Sequence, residues 1–282
     1  MSFPQLITAI YLGQNVRKRT IKAVRAQLAE EGAALLASFL HPQLAKAIQA
    51  KARACDSKDG LASGMIPAHA AGTQRKGWRL VGPPQLRRYM RFRAPKKARA
   101  DAGSSADASS GSASADELAA LMSLGLILDE VRRMMHTAPF IQLLASISGL
   151  APATCASEVR RFRPGLDYTL AHVGTQTTAP TLDATLSFVA AAAAELEQWD
   201  GGDVGGFECH VEASDEDARG VVEVYRAADD TAGVTSIHPQ PNALSLVLRK
   251  PEAMKFIKYV SAAAPGSRWD VSAEFTATGH CV

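Results

Sequence analysis

The sequence predicts an α+β fold in which helices come first and a β-rich sandwich or barrel follows. Two observations predict it. Apolar residues recur at helical spacing through much of the first 150 residues, whereas from Ser157 onward short apolar runs alternate with Gly, Pro, Asp and Asn. A third bounds the class: 47% apolar and 21% charged residues in a chain of 282 allow a sizeable buried core.

The helical front end covers residues 1–60. In VRKRTIKAVRAQLAE (16–30), Ile21, Val24, Ala26 and Leu28 predict an amphipathic helix closed by Gly32. Leu35 to Leu40 reads as a short strand. QLAKAIQAKARAC (43–55) follows His41-Pro42 and aligns Leu44, Ala47, Ile48 and Ala52, a second helix with proline in its first turn. Residues 94–115, APKKARADAGSSADASSGSASA, have too few bulky apolar side chains to offset the entropy of ordering, which predicts a flexible insertion. Residues 116–150 read as helical, with Asp116 and Glu117 favouring the positive N-terminal end, a break at Pro139 and a stop at Gly149. The β-rich core spans 157–277: EVRRF, YTLAHV, ATLSFVA, GGFECHV, VVEVY, ALSLVLR, KFIKYVS and DVSAEF. Residues 1–282 read as one domain without internal repeats.

No apolar run is long enough for a membrane helix, and MSFPQLITAIYLGQNVRKR has no basic segment ahead of its apolar residues. Cys55, Cys155, Cys209 and Cys281 are scattered without C-x-x-C spacing, as in reduced intracellular proteins. Cytoplasm, nucleus or both are therefore expected. The net charge of +3 hides a separation. Ten Lys or Arg and no acid lie between Arg75 and Arg99, and twelve Asp or Glu lie between Glu195 and Asp230.

The stretches RRFRPGLDYTLAH, WDGGDVGGFECHV, HPQPNALSLVLRKPEAMKFIKYVS and RWDVSAEF resemble the oxoglutarate- and iron-dependent oxygenase degradation C-terminal domain. That domain is the C-terminal part of prolyl hydroxylases that act on a ribosomal protein. IYLGQNVRKRTIKAVRAQLAEEGAALLASFLHP (10–42) and GPPQLRRYMRF (82–92) are similar to its opening segment and its Gly-Pro-Pro stretch. The resemblance implies a double-stranded β-helix, a cupin-like jelly roll with flanking helices. It also implies that complete members hold two such folds in tandem, the N-terminal one catalytic.

An oxygenase of this kind holds Fe(II) with two histidines and a carboxylate, and the near pair is H-x-D or H-x-E because alternate strand residues share a face. Here the pair reads His172-Val173-Gly174, and Asp183 is eleven residues on. By the resemblance, Ile257 stands at the far histidine. His172 is thus read as a remnant, with no metal site. Arg268 resembles the residue that would bind the distal carboxylate of 2-oxoglutarate, but Asp270, two residues on, shares its face and could neutralise it.

Around Trp78, Tyr89 and Phe92 the basic run could contact RNA phosphates and bases, with Arg87, Arg88 and Arg91 as contacts, or form a solvated loop whose aromatics pack on the core. The leading expectation is a non-catalytic domain without a cofactor of its own. It would bind a protein partner or regulate an adjacent domain that uses Fe(II) and 2-oxoglutarate to hydroxylate a ribosomal protein. The alternatives are an active dioxygenase with unusual ligands, drawn from His172, His210 or His238, and an RNA or ribosome docking module.

Overall fold

A computed structural model describes residues 18–61, 65–95, 122–171, 180–211, 234–251 and 253–280. VVEVY, most of the 94–115 insertion and His172 lie outside them.

Lys18–Glu31 forms α1, which buries Val24 and Leu28 and ends at Gly32 with φ 70°. The next strand, β1, spans Ala33–Leu36. It is earlier than the expected run to Leu40, because Ser38 takes φ 53° and turns the chain toward α2. Helix α2, Pro42–Lys58, starts where His41 Nδ1 accepts from the Gln43 N–H, and it buries Leu44, Ile48, Ala52 and Asp56.

Trp78–Val81 (β2) and Arg87–Phe92 (β3) pair antiparallel. The basic run is therefore a hairpin rather than a solvated loop, and its aromatics are buried on both faces: Trp78 and Phe92 in the core under the helices, Tyr89 in a smaller cluster with Phe162. Of the expected helical span 116–150, residues 116–121 lie outside the described ones, and the rest resolves into Leu124–Met134 (α3) and Ala138–Ser148 (α4). Pro139 sits in the first turn of α4, where a missing N–H costs nothing. Gly149, left-handed at φ 71°, stops α4. The chain enters Leu150–Phe162 (β4) at once, so the β-rich part begins seven residues before Ser157.

The remaining elements are Tyr168–Thr169 (β5), Thr181–Val189 (β6), Glu197–Asp200 (α5), Glu208–Val211 (β7), Val234–Ile237 (β8), Ala243–Arg249 (β9), Met254–Ile257 (β10) and Arg268–His280 (β11). Among the described residues, one sheet runs β1-β9-β6-β11-β4-β3-β2 with β5 joined to β3, and a second runs β10-β7-β8. All pairings are antiparallel. The sheets face each other, since Arg268 of β11 reaches Glu208 of β7 and Lys255 of β10 reaches Asp183 of β6. This is a double-stranded β-helix with flanking helices.

Strand alternation decides what each face buries. Leu182, Ala184, Leu186 and Phe188 of β6, with Trp269, Val271, Ala273 and Phe275 of β11, join the core under the helices. Their neighbours, Asp183, Thr185 and Ser187 with Arg268, Asp270 and Ser272, are buried toward the second sheet. One further contact ties the edge strand β1 to its neighbour β9. Asn242, at φ 58°, accepts from the Leu40 N–H through Oδ1 at 2.6 Å and donates Nδ2 to the Leu40 carbonyl at 2.8 Å. No helix among the described residues is long and apolar enough to cross a membrane.

Candidate active site

The polar inner faces of both sheets meet in an ionic cluster. Asp270 accepts from Arg160 Nε at 2.7 Å and from Arg268 Nε at 3.0 Å. Glu208 lies 3.2 Å from both Arg268 Nη2 and Lys255 Nζ, and Asp183 accepts from Arg249 Nε at 2.9 Å. Burial alone would raise the Glu208 carboxyl. Lys255, the hydrogen bond with His210 and Arg268 overcome it and hold Glu208 well below the usual carboxylate range. Lys255 shows the converse: burial would lower its ammonium, but Asp183 and Glu208 raise it.

Above this cluster lies a cleft of about 270 Å³, bounded by Tyr89, Arg160, Thr169, Lys255, Ile257 and Glu274 among others. The Tyr89 hydroxyl donates to Glu158 at 2.8 Å, and burial with the Glu158 charge pushes its pKa up to about 12. Ile257 is buried, and its N–H donates to Thr169 Oγ1 at 2.6 Å. That bond joins the late strand KFI to the YT strand, three residues before His172.

Arg268 is buried and turned beneath the cleft, bonded to Asp270, Glu208 and the Gly206 carbonyl. Its pairing with Asp270 follows the shared face read from the sequence. The cations that line the cleft are Arg87, Arg160 and Lys255. Sequence reasoning missed the last two, although the alternation of Glu158, Arg160 and Phe162 in EVRRF was the signal that could have found one. Arg87 Nε is buried with no hydrogen-bond partner among the described residues. Arg88 stands 3.7 Å from Asp167, and Arg91 is bonded to Glu158 at 2.7 Å. Internal acids thus hold two of the three arginines assigned to RNA contact.

His210 approaches two carboxylates, Glu208 at 3.2 Å and Asp183 at 3.7 Å. Both acids already face Lys255, with Arg268 at Glu208 and Arg249 at Asp183, so this set does not fit an iron ion. His238 is elsewhere, stacked on Phe207 at 4.4 Å between ring centroids and 3.3 Å from the Trp199 carbonyl. Among the described residues no three His, Cys, Asp or Glu are arranged to hold a metal.

A helix-flanked jelly roll with a polar interior cleft defines the class, a double-stranded β-helix. Residues 3–280 match the family described as oxoglutarate and iron-dependent oxygenase degradation C-term, and the chain belongs to that family. A curated relative from Ostreococcus tauri, named prolyl 3,4-dihydroxylase OGFOD1, is 30% identical over 261 residues. The match covers 93% of this chain but 46% of the relative, so the chain spans about half the length of the curated relative it matches. Solved structures are similar more loosely. A Trichoplax adhaerens prolyl hydroxylase, in complex with a hypoxia inducible factor oxygen degradation domain peptide, aligns with TM-score 0.49 and 10% identity over 92% of this chain and 89% of that one. A Pseudomonas putida prolyl-4-hydroxylase aligns with TM-score 0.44 and 14% identity over 91% and 98%.

Two expectations are corrected here. The chain was expected to be non-catalytic, and Fe(II) and 2-oxoglutarate were assigned to a separate domain. The relative that it matches over 93% of its length is named as the dihydroxylase itself, which overturns both. The expectation rested on the resemblance to a C-terminal domain together with Gly174 and Ile257, two positions of a three-ligand pattern, and so could not speak for ligands placed elsewhere.

Proposed function

We propose that this chain acts as an iron(II)- and 2-oxoglutarate-dependent dioxygenase that hydroxylates prolyl residues of a protein, with unusual metal ligands. The supporting observation is the match over 93% of the chain to a relative named as a prolyl dihydroxylase. The cleft suits such a role: Arg87, whose Nε has no hydrogen-bond partner among the described residues, lines it and can receive an acidic cosubstrate, whereas Arg160 and Lys255 are already engaged by Asp270 and Glu208. Iron would supply the oxygen chemistry of such a reaction. The described residues supply no ligand set for it, and His172 lies outside them. A ribosomal protein as the prolyl substrate, and the cytoplasm or nucleus as the compartment, are the finer parts of the proposal.

The test is turnover. Purified chain with Fe(II), 2-oxoglutarate and prolyl peptides is expected to form succinate and to add one oxygen atom to a proline, read by mass spectrometry. Folded protein that forms no succinate above a metal-free control, and binds no Fe(II) in calorimetry, would refute it.

A further inference from the structure

A second recess, of about 810 Å³, opens where β3 ends, beside α3, and shares Ser157 and Glu158 with the rim of the cleft. Lys76, Arg79, Arg91, Arg93 and Arg132 line it, against Asp129 and Glu158. Both acids are engaged: Arg132 Nε is 2.8 Å from Asp129 and Arg91 Nη1 is 2.7 Å from Glu158. Among the described residues, five cations against two acids leave an excess of three positive charges.

Their arrangement is unfavourable for the sheet alone. Arg79 lies on β2, the outermost strand, directly opposite Arg91 in the antiparallel register, and Arg91 is opposite Arg160. Directly opposed like charges destabilise a strand pair. Arg93 extends the row: its N–H donates to the Gly77 carbonyl at 2.8 Å, so the pairing continues past β3. Two residues separate it from Arg91 on the same side, about 7 Å at roughly 3.4 Å per residue.

We infer that this recess binds the phosphate backbone of a nucleic-acid strand without reading its bases. Guanidinium forks suit phosphate oxygens, and a step of this length suits successive phosphates along a strand. The open recess, with its cations in a row, favours a chain of charges over a single anion. Trp78, Tyr89 and Phe92 are only 7%, 5% and 5% exposed, so none of these three is free to stack a base. What remains is sequence-independent contact with phosphates. The inference stands apart from the proposed hydroxylation, because none of its unpaired cations lines the cleft.

Fluorescence anisotropy of the full chain with a labelled single-stranded RNA of mixed sequence tests it. Affinity is expected to fall at least about tenfold between about 50 and 200 mM salt. Arg79→Glu and Arg93→Glu should each weaken binding several-fold and reduce the salt slope by about one. Arg19→Glu on α1, which packs beside β1 at the opposite edge of the sheet, changes net charge equally and should leave affinity unaltered. Arg79→Ala should weaken binding without lowering the melting temperature, since it removes a like-charge pair rather than a bond. Absence of binding at the lower salt, salt-independent binding, or an equal loss in Arg19→Glu would overturn the site. A polyglutamate peptide that binds as tightly as RNA would overturn the assignment to nucleic acid in favour of an acidic protein partner.

Discussion

Arg268 shows what a buried charge demands of its neighbours. Its guanidinium holds Asp270, Glu208 and the Gly206 carbonyl, all buried. Arg268→Ala would leave two carboxylates short of a cation in a low-dielectric interior, and should cost about 3 to 5 kcal/mol in urea denaturation. Loss below about 1 kcal/mol would mean that Arg160 and Lys255 compensate fully. Glu208 gives the matching pH dependence. Its folded pKa lies below the ordinary value of 4.5, so its contribution is present above 4.5 and is lost as pH falls through the folded value. The urea midpoint should therefore decline with acid below pH 4.5 and decline less steeply in Glu208→Gln. An identical decline in both proteins would assign acid lability to other carboxylates.

At the level of elements, α3 is set against the sheet by the absence of a side chain. A Cβ on Gly125 would meet the Phe92 ring, 2.9 Å from Cζ and closer still to two other ring carbons. Gly125→Ala gains about 1 kcal/mol of helix propensity, yet overpacking typically costs about 1 to 3 kcal/mol. The variant should melt lower than the parent in calorimetry; a higher melting temperature would show that α3 can slide.

Element types were legible in the sequence because each helix or strand repeats its own period: Leu44, Ile48 and Ala52 mark α2, and DVSAEF marks β11. What could not be read was which face of a strand is buried. In β6 and β11 both faces are, so Asp183, Ser187, Arg268 and Asp270 look like solvent-facing positions although they line an interior. For the same reason Arg160 and Lys255 gave no sign of their place at the cleft. Partners of a buried ion come from strands far apart in the chain, and local pattern does not encode them.

For the molecule as a whole, Arg161 joins the helical front end to the β-rich core. Its guanidinium reaches Asp56 at 2.7 Å and Asp59 at 2.6 Å on the α2 side, donates to Ser267 Oγ at 3.2 Å, and lies 4.4 Å above the Trp269 ring. Such a shared node predicts that both parts unfold together, so circular dichroism and tryptophan fluorescence should trace one coincident transition in urea. Two separated transitions would divide the chain into independent units. The pairing of β1 with β9, held by the Asn242 clamp on Leu40 across 202 positions, sets a timetable as well as a shape. During synthesis the ninth strand emerges last of the pair, so β1 must wait, unpaired, for most of the polypeptide to be made. Loss of the clamp should therefore slow the final closure of the sheet and lengthen the time for which nascent chains need chaperone protection.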